Sequence, residues 1–206
     1  MRMKYRAAGA CARFLRTGAS HCLLLLLAGA STARAQQPRG IDIKLDPATT
    51  VIHWTLGDVL HTVRGTFKLK SGLVHLDPET GAVTGSVVVD ATSGESGSSM
   101  RDQVMHNKVL ESSRYQSITF RPVHVNGKFA PNREQALTVV GVFSLHGQDH
   151  PLQLNVSVHP ASGAITVNTH FDVPYVQWGL KDPSTFVLRV NKDVSIDIEA
   201  TAQLKP

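Results

Sequence analysis

SMRDQVMHNKVLESSRYQSITF, residues 99–120, is the only stretch beyond residue 35 that reads as a helix of useful length. Ser99 suits an N-cap, and Asp102 three residues later completes a capping box. Both set acceptors before helical N–H groups that lack partners. Gln103, Met105, Lys108, Leu110 and Glu111 favour helix, and no Gly or Pro interrupts them. At about 100° per residue, Met100 and Val104 point one way, Met105 and Val109 another, and Leu110 a third. This predicts a short helix over 100–111 that touches protein on several sides, as a plug or lid at a barrel end does. A surface helix joining two strands is the alternative. Ser112 and Ser113 end the helix, and Ile118 and Phe120 open a strand.

Outward from this helix the chain alternates apolar and polar residues, the period of half-buried strands. Towards the N-terminus, Ile52, Trp54 and Leu56 form a first strand beginning at Val51, and Phe67 and Leu69 a second. Ser71-Gly72 suggests a bulge, after which Val74 and Leu76 resume one face. Asp77-Pro78-Glu79-Thr80-Gly81 is a turn, and 82–90 returns as the second arm of a hairpin. Residues 91–98 read as a small, Gly-rich rim loop without the spacing of a phosphate cradle. Beyond the helix, Pro122 marks an edge or bulge, and residues 129–134 read as a polar, exposed tip. Leu137, Val139, Gly141, Phe143 and Leu145 share one face. So do Leu152, Leu154, Val156 and Val158, then Ile165, Val167, Thr169, Phe171 and Val173, and finally Val194, Ile196, Ile198 and Ala200. Roughly eight strands with hairpin-length links predict an all-β, antiparallel up-and-down barrel, with a sandwich as its rival on pattern alone. A barrel of about eight strands encloses at most one small ligand.

Arg101-Asp102, Val109-Leu110-Glu111, Tyr115 and Ile118-Thr119-Phe120 resemble the signature of the YceI-like family of exported lipocalin-like proteins. The segments VxGxFxxxSGxxxxDPExG from Val63, LHGxxHPLxLxV from Leu145, and Trp178-Gly179-Leu180 are similar to further parts of that family's pattern. The resemblance implies a closed lipocalin-like barrel over 36–206 that binds a long apolar molecule, with polyisoprenoids and fatty-acid amides among the family's ligands.

Residues 1–35 have the form of a signal peptide. Arg2, Lys4, Arg6, Arg13 and Arg16 precede an apolar run at 23–30, and Ala33-Arg34-Ala35 is a cleavage signal. That run is too short for a membrane span, and no second one follows. The expected location is periplasmic or secreted. The leader takes six of the 21 basic residues and none of the 16 acidic ones, leaving 15 against 16, a formal net charge of −1. Nucleic-acid binding needs a basic footprint, and none survives. Cys11 and Cys22 leave with the leader, so the exported chain has no disulfides and relies on its core. A homodimer stays open.

Chemistry finds little support. His146 and His150 are four apart, but Gly147 and Pro151 argue against the helix that would align them on a metal. His53, His124, His159 and His170 fall on outward faces. There is no Gly-x-Ser-x-Gly elbow, no His-Glu-x-x-His and no Cys beyond the leader. Asp102 and His106 are spaced as an acid–base pair, although a capping Asp and an exposed His explain them as well. No catalytic residue, metal ligand or cofactor is expected, and an enzyme acting on a lipid inside the barrel is the runner-up.

The expected ligand wall is apolar: Trp54, Leu56, Phe67, Leu69, Val87, Val89, Met105, Phe120, Phe143, Leu145, Leu154, Phe171 and Trp178, with Met105 and Trp178 gating the mouth. His61, Arg64 and Arg101 are candidates for a ligand's polar end. Alternation alone leaves filled and hollow interiors equal, and a filled one would suit a stress or scaffold module. The resemblance favours a hollow one holding a polyisoprenoid, an isoprenoid quinone or a fatty-acyl amide.

Overall fold

The computed structural model describes residues 40–57, 61–186 and 189–205. The expected leader and its cleavage point, and the chain crossing at 58–60, lie outside them. The strands are β1 (Ile41–Leu45), β2 (Val51–Gly57), β3 (Thr62–Leu76), β4 (Val83–Glu95), β5 (Ser117–Asn126), β6 (Gln135–Leu145), β7 (Gln148–Ala161), β8 (Ala164–Val173) and β9 (Val194–Lys205). All pair antiparallel, each with its neighbour in sequence from β2 to β9, and β9 pairs back to β2. The meander therefore closes into a barrel, with β7 and β8 parted over the first half of β7.

Nine strands make eight staves. β1 pairs with β3 at 73–76 and with β9 at 202–205, while β2 pairs with the same two strands at 62–67 and 195–199. β1 and β2 are thus two halves of one stave, broken at 46–50. There the Ala48 N–H donates to Asp46 Oδ1 at 2.9 Å and the Thr50 N–H to the Asp46 carbonyl at 3.0 Å. The first strand expected at Val51 is therefore the second half of a stave. Ile41, Ile43 and Leu45 carry the alternation of the first half, but over only five residues.

Two other expectations are corrected. Residues 91–95 are strand rather than rim loop: β4 continues to Glu95, opposite Thr66, and the Lys68 N–H donates to Ser93 Oγ at 2.8 Å. The small residues there reflect what lies over them. A Cβ on Gly94 would stand 2.5 Å from the Phe67 ring and 2.9 Å from Met105 Cε. Nor is the 129–134 tip wholly exposed, because Phe129 is buried and joins Leu76, Val83, Val125, Leu137, Val158, Ile165 and Ala202 in closing one end of the barrel. Pro122 sits at a register shift in β5. Pro151 lies opposite Val142 of β6, in the half of β7 that has no β8 partner.

Four hydrogen-bonded aspartates give the fold an acid limit. Asp77, Asp90, Asp149 and Asp182 are all held below the ordinary 3.8, chiefly by side-chain hydrogen bonds from Thr80, Thr92, Ser144 and Ser184 respectively. A depressed folded-state value adds stability above the unfolded value, and that stability is lost as pH falls through the folded one. The melting temperature should therefore drop progressively below about pH 4, and Asp90→Asn should flatten part of that drop.

Candidate functional site: an apolar cavity inside the barrel

Side chains that alternate inward leave two neighbouring hollows. The larger, about 500 Å³, is walled by β2, β3, β5, β6, β9, the helix and the turn after β8. The smaller, about 200 Å³, lies towards the end closed by Leu76, Phe129 and Ile165. Ile118 and Phe143, on the neighbouring strands β5 and β6, line both and mark the waist where the two hollows adjoin. The rings of Phe143 and Phe171 meet edge to face with centroids 6.0 Å apart. Inward Phe67, Phe120, Phe143, Phe171 and Ile196 are only half-buried, because part of each faces the void.

The helix covers one end. α1 (Ser99–Val104) runs directly into a π-helical turn at Met105–Val109, in which the Leu110 N–H reaches back five residues to the Met105 carbonyl at 2.8 Å. Widening the turn rephases the side chains. Met100, Val104, Met105, Val109 and Leu110, which a regular helix would scatter, all border the larger cavity.

The helix start also differs from expectation. Ser98 holds the cap position, without a side-chain cap bond. Asp102 Oδ1 instead accepts from the Ser96 N–H at 2.8 Å and the Ser96 hydroxyl at 2.6 Å. His106 is not exposed: Nε2–H donates to the Gly94 carbonyl at 2.8 Å, so Nδ1 accepts from the Ser112 hydroxyl at 2.8 Å. Asp102 and His106 thus fix the helix to β4 and to its own exit, and no hydrogen bond joins one to the other. His106→Ala should loosen this attachment and speed hydrogen exchange at the amides of 99–110 by about tenfold or more, about 1.4 kcal/mol of local stability. Exchange unchanged from wild type would count against the latch.

Of the apolar residues expected at the site, Trp54, Leu56, Phe67, Met105 and Leu145 border the larger cavity, Leu69, Val87, Val89, Phe120, Leu154 and Phe171 the smaller, and Phe143 both. Trp178 is not in either wall. It sits behind Phe143, 5.7 Å between centroids, and stacks on His150 at 4.1 Å with planes 3° apart. β7 and β8 pair only from Val156 and Thr169 onward, so this indole stands where the two strands have parted. Alternation gave no warning of the wall that the turn after β8 and the segment before β9 contribute, with Tyr175, Leu180 and Val190.

Among the described residues Arg101 is the one charged side chain in the cavity walls. Its Nε donates to Ser96 Oγ at 3.3 Å and Nη2 to the Ser96 carbonyl at 3.1 Å, two of the five donors of a guanidinium. Arg64 lies opposite Thr55, exposed, alternating with the inward Val63. His61 is exposed just before β3, and neither residue lines a hollow. Met100 is 77% exposed and Thr185 is exposed, yet both border the larger cavity, so it opens to the surface between helix and loop.

Tyr175 ties that loop down, its hydroxyl donating to the Asn191 carbonyl at 2.8 Å. Burial, then the charges of Asp182 and Asp193, push its hydroxyl up from 10.0 to about 12. A raised folded value means stability that is complete below the unfolded value and lost as pH rises towards the folded one. Unfolding should therefore become easier between pH 10 and about 12, and Tyr175→Phe should remove that dependence.

Among the described residues, no three His, Cys, Asp or Glu side chains gather as a metal site, and no helix is long and apolar enough to cross a membrane. His159 and His170 pair outside the barrel with Glu134 at 3.3 Å and Asp197 at 2.7 Å.

Fold and cavity together define a hollow antiparallel β-barrel capped by one short helix. The YceI-like domain model matches residues 43–202, and the chain belongs to that family. Its fold is that of solved structures of low sequence identity. Burkholderia cenocepacia BcnA is 16% identical, with TM-score 0.62, over 77% of this chain and 99% of that one. A polyisoprenoid binding domain from Saccharophagus degradans, implicated in plant cell wall breakdown, is 14% identical, with TM-score 0.61, over 79% and 98%. The Campylobacter jejuni YCEI protein is 15% identical, with TM-score 0.59, over 71% and 88%. No curated protein sequence matches the chain significantly.

Proposed function

We propose that this protein holds one long apolar chain inside its barrel, as an exported carrier or store of a polyisoprenoid, isoprenoid quinone or fatty-acyl amide. The observation that carries the reading is the larger cavity, about 500 Å³ with almost wholly apolar walls, within the size range of small-molecule sites. The smaller hollow beyond the waist lengthens it in the direction an extended hydrocarbon requires. Each CH₂ removed from water contributes about 0.8 kcal/mol, so ten or more carbons supply ample gross affinity before ordering costs are subtracted. Apolar walls select for length and girth rather than for a pattern of polar groups. Arg101, where the larger cavity meets the surface, is the side chain placed to meet a polar end.

The Saccharophagus degradans domain, named for polyisoprenoid binding, shares the fold and supports an isoprenoid over other lipids. The leader-like pattern of residues 1–35 supports work outside the cytoplasm. The test is native purification, organic extraction and mass spectrometry. A stoichiometric isoprenoid or acyl lipid is expected. An extract with no lipid, from protein whose melting temperature also ignores added long-chain lipids, would overturn the reading, because a ligand bound only by the folded state must stabilise it.

A further inference from the structure

We infer that the rim of the larger cavity is a docking surface for an anionic lipid bilayer, from which the interior is loaded or unloaded. Among the described residues, the two most exposed large apolar side chains are Phe186, 97% exposed, and Met100, 77% exposed. The other three, Val51, Leu73 and Val123, are between 43% and 58% exposed and belong to strands. Met100 is part of the wall at the opening, and Phe186 is the next residue in sequence after Thr185, another exposed wall residue. Single exposed apolar side chains are ordinary on a protein surface, whereas apolar side chains gathered beside one opening and rimmed by polar residues mark an interaction site.

The charges around them select the partner. Arg101, Lys181, Arg189 and Lys192 are exposed on the same two segments. Asp102 accepts from Ser96, and Asp182 accepts from the Ser184 N–H and pairs with Lys192 at 3.4 Å, so Lys192 is partly compensated while Arg101, Lys181 and Arg189 carry the positive side. Asp193 is the remaining exposed acid there. Four basic side chains against three acidic ones leave these two segments a formal +1, whereas residues 36–206 as a whole carry −1. Greasy tips interleaved with cations match a surface of negative head groups over hydrocarbon. A bilayer at the opening also lets an apolar cargo pass without crossing water. The inference needs the opening but not the identity of the cargo.

The test is co-sedimentation of the protein, as its host produces it, with vesicles of phosphatidylcholine alone or mixed with phosphatidylglycerol. Wild type should partition onto the mixed vesicles, and added salt should weaken it. Phe186→Ser and Arg189→Glu should each lower partitioning by about tenfold or more. Neither residue lines the cavity, so retention of co-purified lipid and melting temperature should stay at wild-type values. Two results would overturn the inference: wild type indifferent to phosphatidylglycerol, or both variants binding as wild type does. Self-association that Phe186→Ser abolishes, without vesicle binding, would assign the rim to a second copy and also overturn it. A protein that binds mixed vesicles but carries no lipid would contradict the cargo reading alone.

Discussion

Ile118→Trp is expected to eliminate binding of chains long enough to occupy both hollows while leaving shorter chains bound. Ile118 on β5 lines both hollows, as does Phe143 on the neighbouring β6. Ile118 also packs against the Leu145, Val173, Tyr175 and Leu180 cluster, so an indole there should cost about 1–3 kcal/mol of stability while it fills the void. Its cost in affinity depends on how much of the guest it shuts out. Each excluded carbon forgoes about 0.8 kcal/mol, so excluding about four costs ~3 kcal/mol, roughly a hundredfold. Titration with a homologous series of chain lengths checks this. Wild-type affinity should rise with length and then level off, and the variant should level off several carbons earlier. Curves that superimpose would mean that guests never pass the waist.

Leu76→Ala is expected to act on the fold instead. Leu76 is 2% exposed and packs among Val83, Val125, Ile165 and Ala202 at the closed end. Truncating a leucine in such a place costs about 3 kcal/mol, through lost transfer energy and the hole left behind. The end is tied by β1 on one side and the turn after Asp77 on the other, so the surroundings have little freedom to collapse. Denaturation of delipidated protein should show a lower midpoint with an unchanged slope. A loss below about 1 kcal/mol would show that this end repacks freely.

Most of the barrel was legible because its strands are half-buried. Period-two alternation in β2, β3 and β6 to β9 names the inward face directly, and the turn at Asp77–Gly81 fixes where one hairpin reverses. Legibility failed where geometry departs from that period. β1 is one half of a broken stave, five residues long. The end of β4 is small and polar because Phe67 and Met105 lie over Gly94. The π turn rephases the helix, so Val104 and Val109, which a regular helix separates, both meet the cavity. Trp178 has the composition of a wall residue, but it stands behind Phe143 where β7 and β8 part. Alternation also cannot distinguish inward side chains that mesh from those that stop short of one another. That difference is the site itself, and it depends on the reach of rings such as Phe120 and Phe171 across a barrel of fixed girth.

Electron density inside the natively purified, crystallised protein is the most direct test. Continuous, unbranched or methyl-branched density, running from the helix-covered opening past Ile118 and Phe143 towards Leu76, is the predicted result. Collapsed walls with inward side chains in mutual contact, or hollows occupied only by ordered water, would contradict it.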